Sequence, residues 1–204
     1  MSKSEKITLF PLKMVLFPGE DAPLHIFESR YKKMVSSCIN TDNPFGIILN
    51  ASSGMKKIGC TAQIVDVLKE YESGEYDIVV KGVQRFEIMD KKKDDNLWVG
   101  DVQMLPADNI SKSAKLLETM QDMYLKILMM AEANIDYEAE LNKKTSYEFA
   151  QMVQLPNHIK QTLIELPDEQ KRIKLLMRVF KKALNILETR HQQKDELKSE
   201  DLFN

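Results

Sequence analysis

The chain has 204 residues, a formal net charge of −2 and a pI of about 6.0, and 43% of its residues are hydrophobic. This composition is typical of a folded domain and excludes wholesale disorder, and two cysteines are too few for a disulfide scaffold. No apolar run approaches the ~18–20 residues of a membrane span, and the N-terminus lacks the apolar core of a secretory signal. We therefore expect a cytoplasmic protein without a membrane segment.

The first half of the chain, up to about residue 106, contains short runs of β-branched and aromatic residues that predict strands. Apolar residues at helical spacing between Phe27 and Cys38 predict one helix among them. Short antiparallel strands with hairpin spacing favour a small barrel or sandwich. The predicted strands cover residues 7–10, 14–17, 45–49, 58–71, 76–88 and 98–105.

The strand predicted over 58–71 changes its apolar face part-way along. Either both faces are buried or a bulge shifts the register. The two faces carry Cys60, Ala62 and Ile64, and then Val65 and Val67. The polar residues 72–75 predict a hairpin loop, Gly82 predicts a break or bend in the return strand, and residues 91–96 predict a polar turn.

Beyond Pro106 the apolar period changes from two to about 3.6, which predicts helices. The first of them covers 117–131. Thr145 and Glu148 have capping-box spacing, and Asp168 is a good N-cap for the last helix.

The domain organisation follows from this change of period. We expect an α+β chain with a β-rich subdomain over 1–106 and a helical subdomain over 107–191. The polar end of the chain, 192–204, is expected to fray.

The sequence contains no recognisable catalytic motif. It lacks the glycine-rich loops that hold nucleotide phosphates, and its histidines and cysteines have no metal-ligand spacing, so we expect no cofactor and no metal. Ser-x-x-Lys occurs at Ser29/Lys32 and Ser53/Lys56, which is about as often as chance produces it. We therefore expect no catalytic residues, and we interpret both cysteines as small buried hydrophobes.

The charge balance argues against a nucleic-acid-binding protein, because such domains typically have a pI above about 9. The last helix has a basic face with Lys171, Lys174 and Arg178, which we interpret as solvated surface opposite a core stripe. The three lysines of 91–93 are followed by two aspartates, a pattern that favours a solubilising turn. No strand face combines aromatic and basic residues in the way that RNA binders do.

Three blocks near the N-terminus form a recognisable pattern: FPL at 10–12, VLFPG at 15–19 and LHIFESRY at 24–31. Later blocks are FGII at 45–48, IGCTA at 58–62 and VKGVQRF at 80–86, and the helical half adds LP at 155–156, KQ at 160–161 and LPD at 166–168. Over roughly residues 6–190, the sequence resembles the N-terminal, substrate-binding domain of Lon proteases.

The resemblance implies a PUA-like β pseudo-barrel with one inserted helix, followed by a C-terminal α-helical bundle. It also implies a non-catalytic protein that binds exposed apolar segments of unfolded or partner proteins. Lon proteases continue into an ATPase module and a Ser–Lys protease module, and we expect both to be absent from a chain of 204 residues. Because PUA-like folds resemble RNA binders, an RNA- or nucleotide-binding module is the alternative.

The first block of the resemblance holds residues with expected structural roles. Pro18 and Gly19 predict a tight turn. Phe27 and Tyr31, four residues apart, are expected to dock the helix on the barrel. The charged residues of the block are expected at the barrel rim, bonded to the backbone or to each other rather than to a ligand; these are Glu28 and Arg30.

We expect the peptide site in the crevice between the two subdomains, since concave apolar surface persists at domain junctions. Trp98 and Met104 come from the last strand before the boundary, and Met120 and Tyr124 come from the first helix after it. Aromatic rings supply rigid contact area, and methionine adapts to varied side chains. The competing interpretation is that all four are buried core.

Overall fold

The computed structural model describes residues 4–107 and 113–201, with side chains as far as residue 193. It contains two compact units: Met1–Ala107 with Val153–Glu165, and Asp108–Met152 with Leu166–Asn204. In chain order the strands are β1 (Ser4–Leu12), β2 (Asp21–Ile26), β3 (Phe45–Ala51), β4 (Gly54–Met55), β5 (Ile58–Glu70), β6 (Tyr76–Asp94) and β7 (Leu97–Met104). The helices are α1 (Ser29–Thr41), α2 (Ala114–Met130), α3 (Tyr137–Leu141), α4 (Ser146–Met152), α5 (Asn157–Glu165) and α6 (Glu169–Asp201).

Five strands of the first unit form a closed ring. Antiparallel pairing gives the order β1–β7–β6–β5–β3, and β3 then pairs in parallel with β1. Strand β2 pairs with β6, and β4 pairs with β3, so both lie outside the ring. Closure leaves this ring without an edge strand. The predicted α+β fold, a PUA-like pseudo-barrel with one inserted helix, is confirmed, and the inserted helix is α1.

Helix α1 packs through its aromatic and aliphatic residues. The rings of Tyr31 and Phe10 lie 4.1 Å apart between centroids, and Tyr31 is buried, as predicted. Phe27 does not dock the helix, since 61% of it is exposed. The reason is that α1 begins only at Ser29, after the extended N-cap residue Glu28, so Phe27 precedes the helix.

The charged residues beside α1 bond to each other. Arg30 donates from Nε and Nη2 to Glu28 Oε2, at 3.0 and 2.7 Å. Its Nη1 also donates to the Asn96 carbonyl at 3.4 Å. The pair is partly exposed, so its contribution to stability is modest.

The segment between β1 and β2 is irregular, so the strand predicted over 14–17 is wrong. The apolar side chains of Val15, Leu16 and Phe17 are buried although these residues belong to no strand. The strand in this region is β2, which the sequence pattern missed because Pro23 and polar residues interrupt the apolar alternation.

The turn at Pro18 and Gly19 is built against β6. Gly19, with φ of +79°, donates its N–H to the Gly82 carbonyl at 2.8 Å, and Gly82 donates to the Glu20 carbonyl at 2.8 Å. Glu20 Oε2 accepts the N–H of Phe17 at 2.8 Å. Burial raises the pKa of this carboxyl group, while the Phe17 bond and a nearby ammonium group act in the opposite direction.

Strand β6 runs through Gly82 from Tyr76 to Asp94, so it does not break there. Directly after Gly82, two residues of β6 lie opposite one residue of β5, and such a bulge bends a strand, which is the other half of the prediction. Glycine is needed here for space rather than for flexibility. A Cβ at this position would collide with the backbone carbonyl of Phe17, which cannot rotate away as a side chain would.

The register shift predicted in β5 is confirmed. Its pairing with β6 is interrupted three times, between Cys60 and Ala62, between Ile64 and Asp66, and between Val67 and Lys69. The second and third interruptions insert Val65 and Leu68 into β5, and each turns the following side chains of that strand to the other face. The turn predicted over 91–96 is shorter than expected, because β6 extends to Asp94 and only Asp95 and Asn96 adopt the positive φ values of a tight hairpin turn.

The second unit has an aromatic centre. The ring of Tyr124 on α2 lies 5.1 Å from that of Phe149 on α4 and 5.8 Å from that of Phe180 on α6. The capping box predicted before α4 is confirmed. Thr145 donates its N–H to Glu148 Oε2 at 2.8 Å, and Glu148 donates its N–H to Thr145 Oγ1 at 3.4 Å.

Helix α6 begins with the predicted N-cap, since Asp168 Oδ1 accepts the N–H of Lys171 at 2.8 Å. One turn later, Arg172 and Glu169 form an ion pair of 3.0 Å with both side chains almost fully buried. Ser146 donates its hydroxyl to the same carboxylate at 2.8 Å, so the buried charges have several partners.

One element of the second unit, the short helix α3, was not predicted. Helix α6 continues to Asp201, and the fraying expected for 192–204 stays a prediction. Of the helices in the described residues, none has the length and apolar character needed to cross a membrane.

Helix α5 belongs to the barrel unit, whereas the sequence predicted a continuous helical subdomain over 107–191. The physical reason is a set of side-chain to carbonyl bonds that the periodicity of a short helix does not reveal. They join Arg85 to Ile164 O (3.1 Å), Gln161 to Ile58 O (3.1 Å) and Asn157 to Lys13 O (2.7 Å).

We expect Gly82→Ala to lower the free energy of unfolding by about 1–3 kcal/mol, because the added methyl group overpacks the backbone of Phe17. The neighbouring Val83→Ala, at a residue that is 54% exposed, is the control and should change it by less than about 0.5 kcal/mol. Urea denaturation measures both, and equal stabilities would contradict the steric account.

Candidate functional site

The four residues of the predicted peptide site divide between the two units. Trp98 and Met104 lie on β7 and are partly buried against a cluster of barrel side chains that includes Phe86 and Val102. Met120 and Tyr124 lie on α2 in the second unit. The structure therefore groups them in pairs, and the four-residue site stays a prediction.

Met120 and Tyr124 are buried to 0% and 1% exposure. Tyr124 contacts the aromatic rings already described, and its hydroxyl accepts a hydrogen bond from Lys143 at 3.4 Å. Lys143 is in turn paired with the buried Glu140. Desolvation by burial, followed by the nearby Glu140 carboxylate, raises the pKa of Tyr124. Both side chains have the surroundings of core residues.

A groove within the first unit lies between α5 and the β3–β4 hairpin. It encloses about 470 Å³, which is within the ~300–1,000 Å³ range of ligand clefts. We call it the α5 groove. It is lined by Lys13, Leu49, Asn50, Ala51, Ser52, Lys56, Asn157, His158, Gln161, Thr162 and Glu165.

The wall formed by α5 is fixed to the barrel at both ends. Asn157 donates to the Lys13 carbonyl at the first residue of the helix, and Arg85 donates to the Ile164 carbonyl near its last residue. Between them, Gln161 donates to the Ile58 carbonyl at 3.1 Å. These bonds hold α5 at a defined distance from the barrel strands, which keeps the groove open.

Gln161 carries the most unusual polar atom of the groove. Its Nε2 donates both to Ile58 O and to Glu165 Oε1, at 3.1 and 2.8 Å. Its Oε1 is buried and accepts no hydrogen bond from the residues that the structure describes. A buried acceptor without a donor costs about 1–3 kcal/mol. The sequence did not predict Gln161 as a site residue, since nothing local marks a helical glutamine as buried.

Apart from the α5 groove, a cluster of polar side chains lies at the tip of the β5–β6 hairpin. His25 Nδ1 is 2.7 Å from Asp77 Oδ1, and the hydroxyl of Tyr71 donates to Asp77 Oδ2 at 2.7 Å. The bond from Tyr71 and then that of His25 lower the pKa of Asp77. The exposed ring of Phe27 stacks on His25 at 5.9 Å between centroids. This cluster is exposed and contains no activated nucleophile.

Lysines approach the face of Trp98 on the β6–β7 hairpin. The Nζ atoms of Lys93 and Lys91 lie 5.3 and 5.9 Å from the ring centroid. The prediction that no strand face carries both aromatic and basic residues is therefore wrong. The pairing register, which places Lys93 opposite Trp98, is a non-local property.

Neither the two cysteines nor Lys32 has the surroundings of a nucleophile or a general base. Burial raises the pKa of the Cys60 thiol to about 12, and burial also raises that of Cys38, so neither is a reactive thiolate at neutral pH. Lys32, one half of a Ser-x-x-Lys pair, donates to the Ser73 carbonyl at 2.9 Å. No group of three acidic, histidine or cysteine side chains suited to a metal ion occurs among the described residues.

Comparison with known proteins decides the family. Residues 6–182 match the family model described as the ATP-dependent protease La (LON) substrate-binding domain. This chain belongs to that family. The fold agrees, since a crystal structure of a Lon N-terminal domain protein from Xanthomonas campestris superposes with a TM-score of 0.67 at 24% identity, covering 85% of this chain and 98% of that one.

Longer relatives share the same domain. Lon protease 1 of Hydrogenovibrio crunogenus is 24% identical over 203 residues, covering 86% of this chain and 23% of the relative. Protein cereblon of Xenopus tropicalis is 31% identical over 109 residues, covering 50% of this chain and 24% of that protein. The chain thus spans about a quarter of the length of the curated relatives it matches. The family match covers a substrate-binding domain and includes no ATPase or protease domain.

We expect Met120→Ala to lower the free energy of unfolding by about 2–5 kcal/mol, because the side chain is fully buried. Met129→Ala on the same helix, at a residue that is 64% exposed, is the matched control and should change it by less than about 0.5 kcal/mol. Denaturant unfolding separates the two. A stable Met120→Ala protein with weakened capture of unfolded substrate would instead support the peptide-site interpretation.

Proposed function

We propose that this protein binds exposed apolar segments of unfolded or partner polypeptides and performs no chemistry on them. The observation that carries the proposal is the match of residues 6–182 to a substrate-binding domain. The relatives named Lon protease combine that domain with a much longer chain. Binding without turnover is the activity that the domain alone supports.

The surface of the barrel unit is consistent with such binding, because it exposes several large apolar side chains. Val65 and Leu68 are the additional residues at two bulges of β5, and they are 51% and 59% exposed. Phe27, at 61%, is supported by its stacking on His25. Apolar side chains on a folded surface offer contacts to the apolar segments that an unfolded polypeptide exposes.

The proposal that the protein is not an enzyme, and acts in the cytoplasm, rests on side-chain chemistry. Neither cysteine forms a disulfide, which suits a reducing compartment. The high pKa of Cys60 keeps that thiol protonated, and Lys32 is hydrogen-bonded to a backbone carbonyl, so neither is poised as a nucleophile or a base.

A second candidate function, RNA or nucleotide binding, is favoured by one observation, the approach of Lys91 and Lys93 to Trp98. Aromatic rings with neighbouring cations are the elements that bind single-stranded RNA. Against it, Trp98 is partly buried against the barrel core. Polypeptide binding therefore stays the preferred function.

We expect the purified protein to bind a fluorescein-labelled, reduced and alkylated unfolded polypeptide saturably, with a Kd that changes little between 50 and 200 mM salt. Apolar contacts are insensitive to salt, whereas phosphate contacts release counterions and weaken steeply over that range. Fluorescence anisotropy measures the polypeptide and a labelled single-stranded RNA in parallel. Tight, steeply salt-dependent RNA binding without polypeptide binding would overturn the proposal, and so would hydrolysis of ATP or casein.

A further inference from the structure

The α5 groove adjoins a second cavity. This neighbouring cavity of about 440 Å³, lined by residues that include Gly54 and Glu87, shares Lys56 and Glu165 with it. The two cavities lie side by side along α5 and the β3–β4 hairpin. At ~1.5 Å per residue the nine residues of α5 span about 13 Å, which equals about four residues of extended chain at ~3.3 Å each.

The lining of the α5 groove suits a neutral ligand with both donors and acceptors. Three carboxamides, those of Asn50, Asn157 and Gln161, line it together with the hydroxyl of Thr162. A carboxamide has the same donor and acceptor groups as a peptide bond, so it can bond to a peptide N–H and to a peptide carbonyl. Charged side chains of both signs are present, two lysines (Lys13 and Lys56) and one glutamate (Glu165).

Gln161 favours a ligand that carries a hydrogen-bond donor. Both N–H bonds of its Nε2 are used within the protein, and so its orientation is fixed with Oε1 as the unused acceptor. The atom exposes almost no surface in this structure, so a ligand N–H relieves that cost only once a small movement of the groove wall uncovers it. An ionised carboxylate ligand brings no donor, and the Glu165 carboxylate bonded to Gln161 repels it. A peptide N–H is a neutral donor that meets the requirement.

We propose that the α5 groove binds the main chain of an extended polypeptide segment, with Asn50, Asn157 and Gln161 bonding to its peptide groups. This rests on the proposed function and locates it in the barrel unit. Because peptide groups are common to all sequences, these bonds recognise an extended chain, as β-strand addition does. The exposed apolar side chains of the barrel unit, such as Leu68, would add the preference for apolar segments.

The decisive variant fills the groove without touching the buried bonds. Thr162 is exposed and donates only to the His158 carbonyl of its own helix, so Thr162→Trp places an indole over the groove. Thr119→Trp is the matched control, since Thr119 is also an exposed helical threonine bonded to the carbonyl four residues before it. Full-length protein and the labelled unfolded polypeptide are used. Asn50→Trp, at an exposed residue on the opposite wall, replaces Thr162→Trp if that variant does not fold.

We expect Thr162→Trp to raise the Kd for the unfolded polypeptide at least about tenfold, and Thr119→Trp to leave it unchanged, at equal melting temperatures. Equal Kd values for both variants would show that the polypeptide does not bind in the α5 groove, while the proposed function would stay intact. Failure of the unmodified protein to bind at all would instead overturn the proposed function.

A second probe tests recognition of the main chain. Two peptides of one apolar sequence are compared, one with free backbone N–H groups and one methylated at alternate backbone nitrogens. The methylated peptide should bind at least about tenfold more weakly, because it cannot donate to Gln161. Equal affinities would contradict main-chain recognition.

Discussion

A buried arginine is the constraint on which the barrel unit depends. Arg85 on β6 is only 4% exposed, and its guanidinium donates to the Ile164 carbonyl in the last turn of α5. Helix C-termini have carbonyls without intrahelical partners and carry a partial negative charge, so a buried cation is well placed there. The carbonyl of Arg85 also accepts the N–H of Leu105, which fixes the residue at the end of β7.

The position of α5, and therefore the groove beside it, follows from that contact. A nine-residue helix is not stable alone, and its packing decides where it forms. With its C-terminal end held by Arg85 and its N-terminal end held through Asn157, the helix lies along the β3–β4 hairpin. The carboxamides of the two walls then face a shared space, so the chemistry of the groove is a consequence of how the barrel binds one short helix.

The turn before β2 shows the same dependence on backbone contacts. Val15 to Phe17 are buried in an irregular segment, and the hydrogen bonds between Gly19, Gly82 and Glu20 attach that segment to β6. The segment therefore needs no strand partners. The absence of a side chain at Gly82 is what lets two backbones approach so closely.

Features with a local signal could be predicted from the sequence. The capping box at Thr145 and the N-cap at Asp168 depend on residues three positions apart, and both are present. The register shifts of β5 follow from a change of apolar face along one strand. These features involve neighbours in the chain, where spacing alone determines which side chains meet.

Features that join distant residues could not be predicted in this way. The parallel pairing of β1 with β3, which closes the barrel, has no local pattern. The return of α5 to the barrel depends on Arg85, a residue 79 positions before its partner Ile164. Met120 was predicted as a site residue because apolar periodicity marks a buried face and a binding face alike, and only packing separates them.

Hydrogen exchange of the full-length protein, with and without an unfolded polypeptide, tests the account most directly. Without the polypeptide, the amides of 157–165 should exchange together with those of the barrel strands. With it, protection should increase in 157–165 and in 45–55, the two walls of the groove. If the amides of 157–165 exchanged together with those of α2 and α6, the attachment of α5 to the barrel would be contradicted. If protection increased only in the second unit, binding in the α5 groove would be contradicted.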